Sequence, residues 1–193
     1  MTVASNKRFF DVCADHLTFP DQWFLDEPLT VTGEEIDARE FRSGVPYRGP
    51  LPVIVPIGNP GLELAFNFGA FDMPVVSSEI ADIINELAPG DVQCFPVDVP
   101  GAQGSYQILN AVCSLDCLDE ERSEFTRWLP GDHRSDRIGQ YHMISTIRVD
   151  PKRTYEHQIF RIKNWPIALL VSNTIKDALA SIPRLGVVFE TAS

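Results

Sequence analysis

The sequence predicts an α+β fold with a mixed or antiparallel sheet, about three helices and two similar strand–helix–strand units. Several short stretches alternate apolar and polar residues, which is the period of a half-buried strand. Five prolines between residues 44 and 60 exclude a helix there. Two later segments place apolar residues at helical spacing. Nothing in the 193 residues resembles a linker, so we expect a single domain over residues 1–193.

The clearest helix is predicted at residues 77–88. Its apolar residues fall at i, i+3, i+4 and i+7 and form one stripe: Ile80, Ile83, Ile84 and Leu87. Ser77 or Ser78 can cap its first turn, and Pro89-Gly90 ends it. The opposite face then presents Glu79, Asp82 and Glu86 to solvent, with no basic residue among them.

A similar unit recurs near the C-terminus, offset by 95 residues. Val76-Ser77-x-x-Ile80-x-Asp82 matches Val171-Ser172-x-x-Ile175-x-Asp177. Each predicted helix follows an apolar strand, is ended by a proline and leads into another strand. Shared helix-start chemistry or gene duplication would each explain the match.

The remaining elements are mostly short strands. Residues 1–73 form a strand- and loop-rich acidic part, with strands predicted at 8–13, 53–57 and 62–68. Further strands are predicted at 92–99 and 106–115. A third helix is expected at 116–128, with Leu118 and Phe125 among its apolar contacts. Residues 141–149 and 157–163 are predicted as two strands, separated by a turn region at Asp150-Pro151.

The formal net charge of −11 is unevenly distributed. Residues 1–100 hold sixteen acids and five bases, whereas residues 101–193 hold eleven of each. No Lys or Arg lies between Arg48 and Arg122, a stretch that carries eleven carboxylates. This charge argues against nucleic acid as a partner. An acidic stretch is either a solvated face that maintains solubility or a docking surface for something basic.

The sequence predicts a cytoplasmic protein that uses no membrane and no cofactor. The N-terminus lacks the apolar region of a signal peptide, and no run approaches the length of a membrane span. Cys113 and Cys117 form a C-x3-C spacing, but no second Cys or His pair at zinc-site spacing lies nearby in the sequence. We therefore expect reduced cysteines and no metal site.

No established catalytic motif is present, so the best candidate for chemistry is a run of carboxylates: Asp116, Asp119, Glu120, Glu121 and Glu124. On the predicted helix Asp116 and Glu120 share a face, as do Glu120 and Glu124, and this like-charge row costs a few tenths of a kcal/mol per pair. A metal ion or a cationic partner would relieve that repulsion. Neighbouring Arg122 and Arg127, or water, would relieve it equally.

Ordered segments of the C-terminal two-thirds resemble a known family. They are Pro74-Val75-Val76-Ser77, Gly90-Asp91-Val92-Gln93, Tyr106-Gln107-Ile108-Leu109-Asn110, Asp116-Cys117-Leu118-Asp119, Arg122-Ser123-Glu124-Phe125, Asp150-Pro151, Ile159-Phe160-Arg161-Ile162-Lys163 with Trp165, and Val171-Ser172 with Ile175-Lys176-Asp177-Ala178-Leu179. Their order across residues 74–189 resembles the myxobacterial-type immunity proteins of bacterial polymorphic toxin systems, immunity protein family eleven. Residues 1–73 add little to this resemblance.

The resemblance implies a protein that neutralises a cognate toxin, often nuclease-like, by binding rather than by catalysis. Nuclease surfaces are basic, so an acidic inhibitor would complement one. The oligomeric state is not predicted. The candidate toxin-contacting residues come from the charge argument alone. They are Glu79, Asp82, Glu86, Asp116, Asp119, Glu120, Glu121 and Glu124. Two alternatives remain: a metal-dependent enzyme using the Asp116–Glu124 carboxylates, and an acidic adaptor or scaffold.

Overall fold

Short strands are the main regular elements of the protein, and its two helices pack against the larger sheets. The structure, a computed structural model, describes residues 7–193. The helices are α1 (Ser78–Leu87) and α2 (Asn173–Leu179). The strands are β1 (Phe9–Ala14), β2 (Phe24–Leu25), β3 (Leu29–Thr30), β4 (Val53–Ile54), β5 (Ile57–Asn59), β6 (Phe66–Gly69), β7 (Met73–Ser77), β8 (Val92–Asp98), β9 (Tyr106–Ala111), β10 (Ser114–Leu115), β11 (Glu124–Arg127), β12 (Tyr141–Thr146), β13 (Ile159–Ile162), β14 (Trp165–Ser172) and β15 (Val187–Thr191). Short 3-10 helices lie at Ala38–Arg42, Ala70–Asp72, Ser135–Arg137 and Pro151–Arg153.

These strands form two larger sheets and two small ones. One sheet has six strands in the order β3-β4-β8-β9-β7-β6, and another has five in the order β10-β13-β14-β1-β15. The pairs β11–β12 and β2–β5 form two-stranded sheets. Both larger sheets mix parallel and antiparallel neighbours. The predicted α+β class with a mixed sheet is therefore confirmed.

The two predicted strand–helix–strand units are present and share one arrangement. β7 and β8 both pair antiparallel with β9, which lies between them. β14 and β15 both pair antiparallel with β1 in the same way. The two strands of each unit are therefore parallel to each other, and a parallel connection needs a crossover such as a helix. An antiparallel strand also flanks each unit on the outside, β6 beside β7 and β13 beside β14.

Local chemistry begins both helices at the predicted serines. The Ser77 hydroxyl accepts a hydrogen bond from the Ile80 N–H at 3.4 Å, and the Ser172 hydroxyl accepts one from the Ile175 N–H at 3.4 Å. The apolar stripes of α1 and α2 then pack into one shared core, in which Ile80, Ile84, Ile175 and Leu179 are buried. Each such side chain stabilises the fold by about 1.5–3 kcal/mol.

The N-terminal part of the chain does not stand apart from the rest. β1 is the strand between β14 and β15, so residues 9–14 complete the sheet of the C-terminal unit. Residues further along pack a second core under the six-stranded sheet, rich in aromatic rings. Phe41, Tyr47 and Phe95 lie within 5.7 Å of one another by ring centroid. Short strands and loops dominate this region, as the sequence predicts.

The predicted helix at 116–128 is wrong. Leu118 instead forms a bridge with Val149, residues 119–122 form a turn, and β11 pairs antiparallel with β12. The Asp119 carboxylate accepts the N–H groups of Glu121 and Arg122, which stabilises the turn rather than a helix. The protein therefore has two α-helices in the described residues rather than three, and the like-charge helical row does not form.

The strands at 141–149 and 157–163 do not pair with each other. β12 pairs with β11, whereas β13 lies between β10 and β14. A 3-10 turn begins at Asp150, whose carboxylate accepts from the Lys152 N–H at 3.0 Å. Three other predicted strands differ in extent. The strand predicted at 53–57 is divided near Pro56 into β4 and β5, and the one at 106–115 is divided into β9 and β10. Of the strand predicted at 62–68, only the last residues form β6.

Within residues 7–193, neither helix has the length and apolar composition that crossing a lipid bilayer requires.

Candidate functional site

The exposed face of α1 carries three carboxylates at the predicted spacing. Glu79, Asp82 and Glu86 are all exposed, and separations of three and four residues place them on one side of the helix. None of the three takes part in an ion pair with any other described residue. We call Glu79, Asp82 and Glu86 the α1 acidic face.

Helix stability does not explain all of this face. Glu79 lies in the first turn, where the helix dipole favours a carboxylate. Glu86 lies in the last turn, where the dipole disfavours negative charge, and no basic residue of that turn compensates it. Its position therefore costs a few tenths of a kcal/mol rather than stabilising the helix.

The carboxylates of residues 116–124 are separated by the turn and strand that replace the predicted helix. The Arg122 side chain donates to the Asp119 carboxylate at 2.6 Å and is the main cause that lowers the pKa of Asp119. Lys163 lies 3.8 Å from the Asp116 carboxylate. The Thr146 hydroxyl donates to Glu124 at 3.0 Å. Most of these acids already have partners within the protein.

Glu120 belongs to a structural cluster on the β11–β12 hairpin. Its carboxylate accepts hydrogen bonds from the Arg127 guanidinium and from the Tyr141 hydroxyl, the latter at 2.7 Å. The Arg127 guanidinium lies over the Tyr141 ring, 4.4 Å from its centroid. Burial, followed by the neighbouring Glu120, raises the pKa of Tyr141 to about 12. Of the five candidate carboxylates in this run, Glu121 is exposed and has no side-chain partner among the described residues.

A cleft that the sequence did not indicate opens where β1 and β14 diverge. The two strands pair from Phe9 to Asp11 and then separate, leaving a cavity of about 750 Å³. Its lining is largely apolar and comes from several distant segments, including Trp23, Ile147 and Trp165. Strand periodicity assigns a residue to one face of a sheet, but it does not show where two paired strands separate.

Asp11 lies in this cleft in an unusual environment. Burial raises the pKa of its carboxyl to about 6, against a model-compound value of 3.8. A hydrogen bond from the Leu169 N–H and the positive charge of Arg161 both lower the pKa of Asp11, but by less than burial raises it. Arg161 is itself fully buried, and its Nη1 donates to the Ile167 carbonyl at 3.0 Å.

One group of side chains in the described residues could hold a metal ion. Ligand atoms of Asp91, Cys113 and His157 all lie within 4.8 Å of one another. The group does not include any carboxylate of the 116–124 run, so within residues 7–193 those carboxylates do not assemble into the metal site that the enzyme alternative requires. No sequence pattern indicates this group, because its members are far apart in the chain.

Comparison with known proteins identifies the family of the chain. No curated protein matches it. Residues 3–193 match the Immunity protein family (Imm11), so the match includes the N-terminal part that adds little to the resemblance seen in the sequence. Such families belong to toxin systems, which implies a cognate toxin as partner, and their members are typically non-enzymatic. Because the match spans nearly the whole chain, the protein belongs to the Immunity protein family (Imm11).

Proposed function

We propose that this protein binds and neutralises a basic cognate toxin through the α1 acidic face. The observation that carries the proposal is that Glu79, Asp82 and Glu86 are exposed and form no ion pair within residues 7–193. Charges that are not satisfied within the protein remain available to a partner. A nuclease is the toxin class that fits this surface, because proteins that bind nucleic acid carry basic surfaces.

The carboxylates from Asp116 to Glu124 have a smaller part in this proposal. Asp116, Asp119 and Glu120 lie against Lys163, Arg122 and Arg127, so a toxin would have to displace or share these partners. Glu121 is the member of the run that is exposed and has no side-chain partner in the described part of the chain. We therefore propose Glu121 as the contact of this group that most resembles the α1 acidic face.

Exposed charges of this kind act mainly on the rate of association. Complementary potentials steer two proteins together, and the effect weakens as salt screens it over about 8–10 Å. The stable complex should bury roughly 1,600 Å², more than one helix face alone supplies. Apolar contacts must therefore complete the interface, with the carboxylates setting orientation and encounter rate.

Two experiments test the proposal at different levels. Co-expression with a toxin encoded beside this protein tests neutralisation, and equal cell death with and without the protein would refute it. The double variant Asp82→Lys/Glu86→Lys tests the surface. We expect its association rate constant to fall at least about tenfold at low salt, and this difference to shrink at high salt.

The matched control is the double variant Glu34→Lys/Glu35→Lys. Both control residues are exposed and have no ion pair in the described residues. Their substitution changes the net charge of the protein by the same amount as Asp82→Lys/Glu86→Lys. If both double variants slow association equally, overall charge rather than the α1 acidic face guides the toxin. Circular dichroism of each variant confirms that the fold is intact.

A further inference from the structure

Three distant segments meet at Asp91. Asp91 lies in the turn between α1 and β8, Cys113 follows β9, and His157 precedes β13. The Asp91 Oδ1 atom is 2.7 Å from His157 Nδ1 and 3.7 Å from Cys113 Sγ. The residues are 22 and 66 positions from Asp91 in the chain. The fold therefore brings a carboxylate, a thiol and an imidazole to one point.

We propose that Asp91, Cys113 and His157 form a binding site for a divalent transition metal ion of the zinc class. Oxygen, sulfur and nitrogen donors from these three residue types are those that zinc takes, with bonds of about 2.0–2.3 Å. Tetrahedral bonds of that length separate ligand atoms by about 3.3–3.8 Å. The 3.7 Å between sulfur and oxygen fits this range, and the 2.7 Å between nitrogen and oxygen has to open by about half an ångström. Water would occupy the fourth position.

The backbone around the site already holds the ligands in place. The Gln158 N–H donates to Asp91 Oδ2 at 2.7 Å, which orients the carboxylate so that Oδ1 faces the other two residues. The Val112 N–H donates to the Asp91 carbonyl at 2.8 Å and ties the Cys113 segment to the same turn. Such outer contacts fix ligand orientation and strengthen metal sites. Binding would therefore require small side-chain adjustments and no refolding.

The local electrostatics set the conditions for binding. Cysteine binds a metal ion as the thiolate, so a bound ion would replace the proton of the Cys113 thiol. The positive charge of Lys7 lies near Asp91 and opposes the binding of a metal ion there. Glu156 is also near Lys7, and its negative charge offsets that of the lysine. The ion would link the turn before β8 in one sheet to β13 in the other.

Cobalt is the probe that tests this site directly, because a thiolate bound to Co²⁺ gives a sulfur-to-metal charge-transfer band and tetrahedral Co²⁺ gives intense visible bands. We expect the full chain, after removal of metal with EDTA, to bind one Co²⁺ with both signatures and to release it to Zn²⁺. Zinc should also raise the Tm of the wild-type protein, since it binds the folded state.

Variants assign the ligands. Cys113→Ser and His157→Gln should each lower the affinity at least about 100-fold, and Cys113→Ser should abolish the charge-transfer band. Cys94→Ser is the matched control because Cys94 is also a partly buried free cysteine but lies outside the group. We expect Cys94→Ser to retain both the band and the rise in Tm.

Either of two outcomes would overturn the proposal: no charge-transfer band with the wild-type protein, or equal binding by wild type, Cys113→Ser and His157→Gln. Circular dichroism in EDTA shows whether each variant is folded, and the wild-type titration remains decisive if one variant is not. The site does not depend on toxin neutralisation, so either proposal can fail without the other.

Discussion

Replacing Asp11 by Asn should stabilise the protein near neutral pH and do so much less in acid. In the folded chain the pKa of Asp11 is raised to about 6 from a model-compound value of 3.8. The folded state therefore binds the proton more tightly than the unfolded state between these two values. Stability from this residue is fully present below pH 3.8 and is lost as the pH rises through about 6.

The size of the effect follows from the two pKa values. A difference of about two units corresponds to about 3 kcal/mol at pH 7.5, where the carboxylate is charged in both states. At pH 4.5 the same linkage gives about 1 kcal/mol, because the folded state is still protonated. Asn cannot ionise but keeps an oxygen that can accept from the Leu169 N–H. The stability difference between Asp11→Asn and wild type should therefore grow by about 2 kcal/mol from pH 4.5 to 7.5.

Urea denaturation followed by circular dichroism measures this difference at each pH. Comparing the variant with wild type at the same pH removes the contribution of every other titrating group. Asp98→Asn, at an exposed carboxyl on β8, is the control, and its difference from wild type should change by less than about 0.5 kcal/mol. A pH-independent difference for Asp11→Asn would refute the argument that burial dominates the environment of Asp11.

Two further predictions concern the backbone, each with an internal control, and urea denaturation measures both. Gly186→Ala should destabilise the fold by about 3 kcal/mol or more, because Gly186 has φ +88° and an added Cβ would lie 2.5 Å from the Phe66 carbonyl oxygen. Gly90→Ala is the control. Gly90 has φ +93° but an added Cβ there would meet open space, so this change should cost only about 1 kcal/mol. Ser77→Ala should cost about 1 kcal/mol through loss of the α1 cap, and Ser78→Ala should cost less than about 0.5 kcal/mol; equal losses would contradict the capping assignment.

The sequence predicts elements well where short-range chemistry determines them. The predicted helix at 77–88 agrees with α1, because Ser77 caps its start, the apolar stripe specifies one buried face and Pro89-Gly90 ends it. The predicted helix at 116–128 failed for a long-range reason. Leu118 bridges to Val149 and β11 pairs with β12, so partners more than a dozen residues away determine the conformation of this segment.

The candidate sites also differ in whether a local sequence pattern predicts them. Exposure of Glu79, Asp82 and Glu86 follows from helical periodicity and could be predicted. The cleft around Asp11 and the group at Asp91 arise where separate segments converge, and no local pattern encodes such meetings. Cys113 illustrates this: it packs against the core that contains Cys117, its neighbour in the C-x3-C spacing, but its hydrogen-bond partner Asp91 lies 22 residues earlier in the chain.

Comparing the two strand–helix–strand units shows what the fold requires of α1 and what it does not. Both units keep the capping serine and the buried apolar stripe, which are needed to start and pack a helix. The exposed positions differ: with the 95-residue offset, Glu79 and Asp82 correspond to Thr174 and Asp177 of α2, and Glu86 corresponds to Ser181, two residues beyond the end of α2, all exposed. The second unit therefore forms with one acid at these three positions, so the frame does not demand three. The shared frame therefore does not require the extra carboxylates of α1, and contact with a basic toxin is the role that we propose for them.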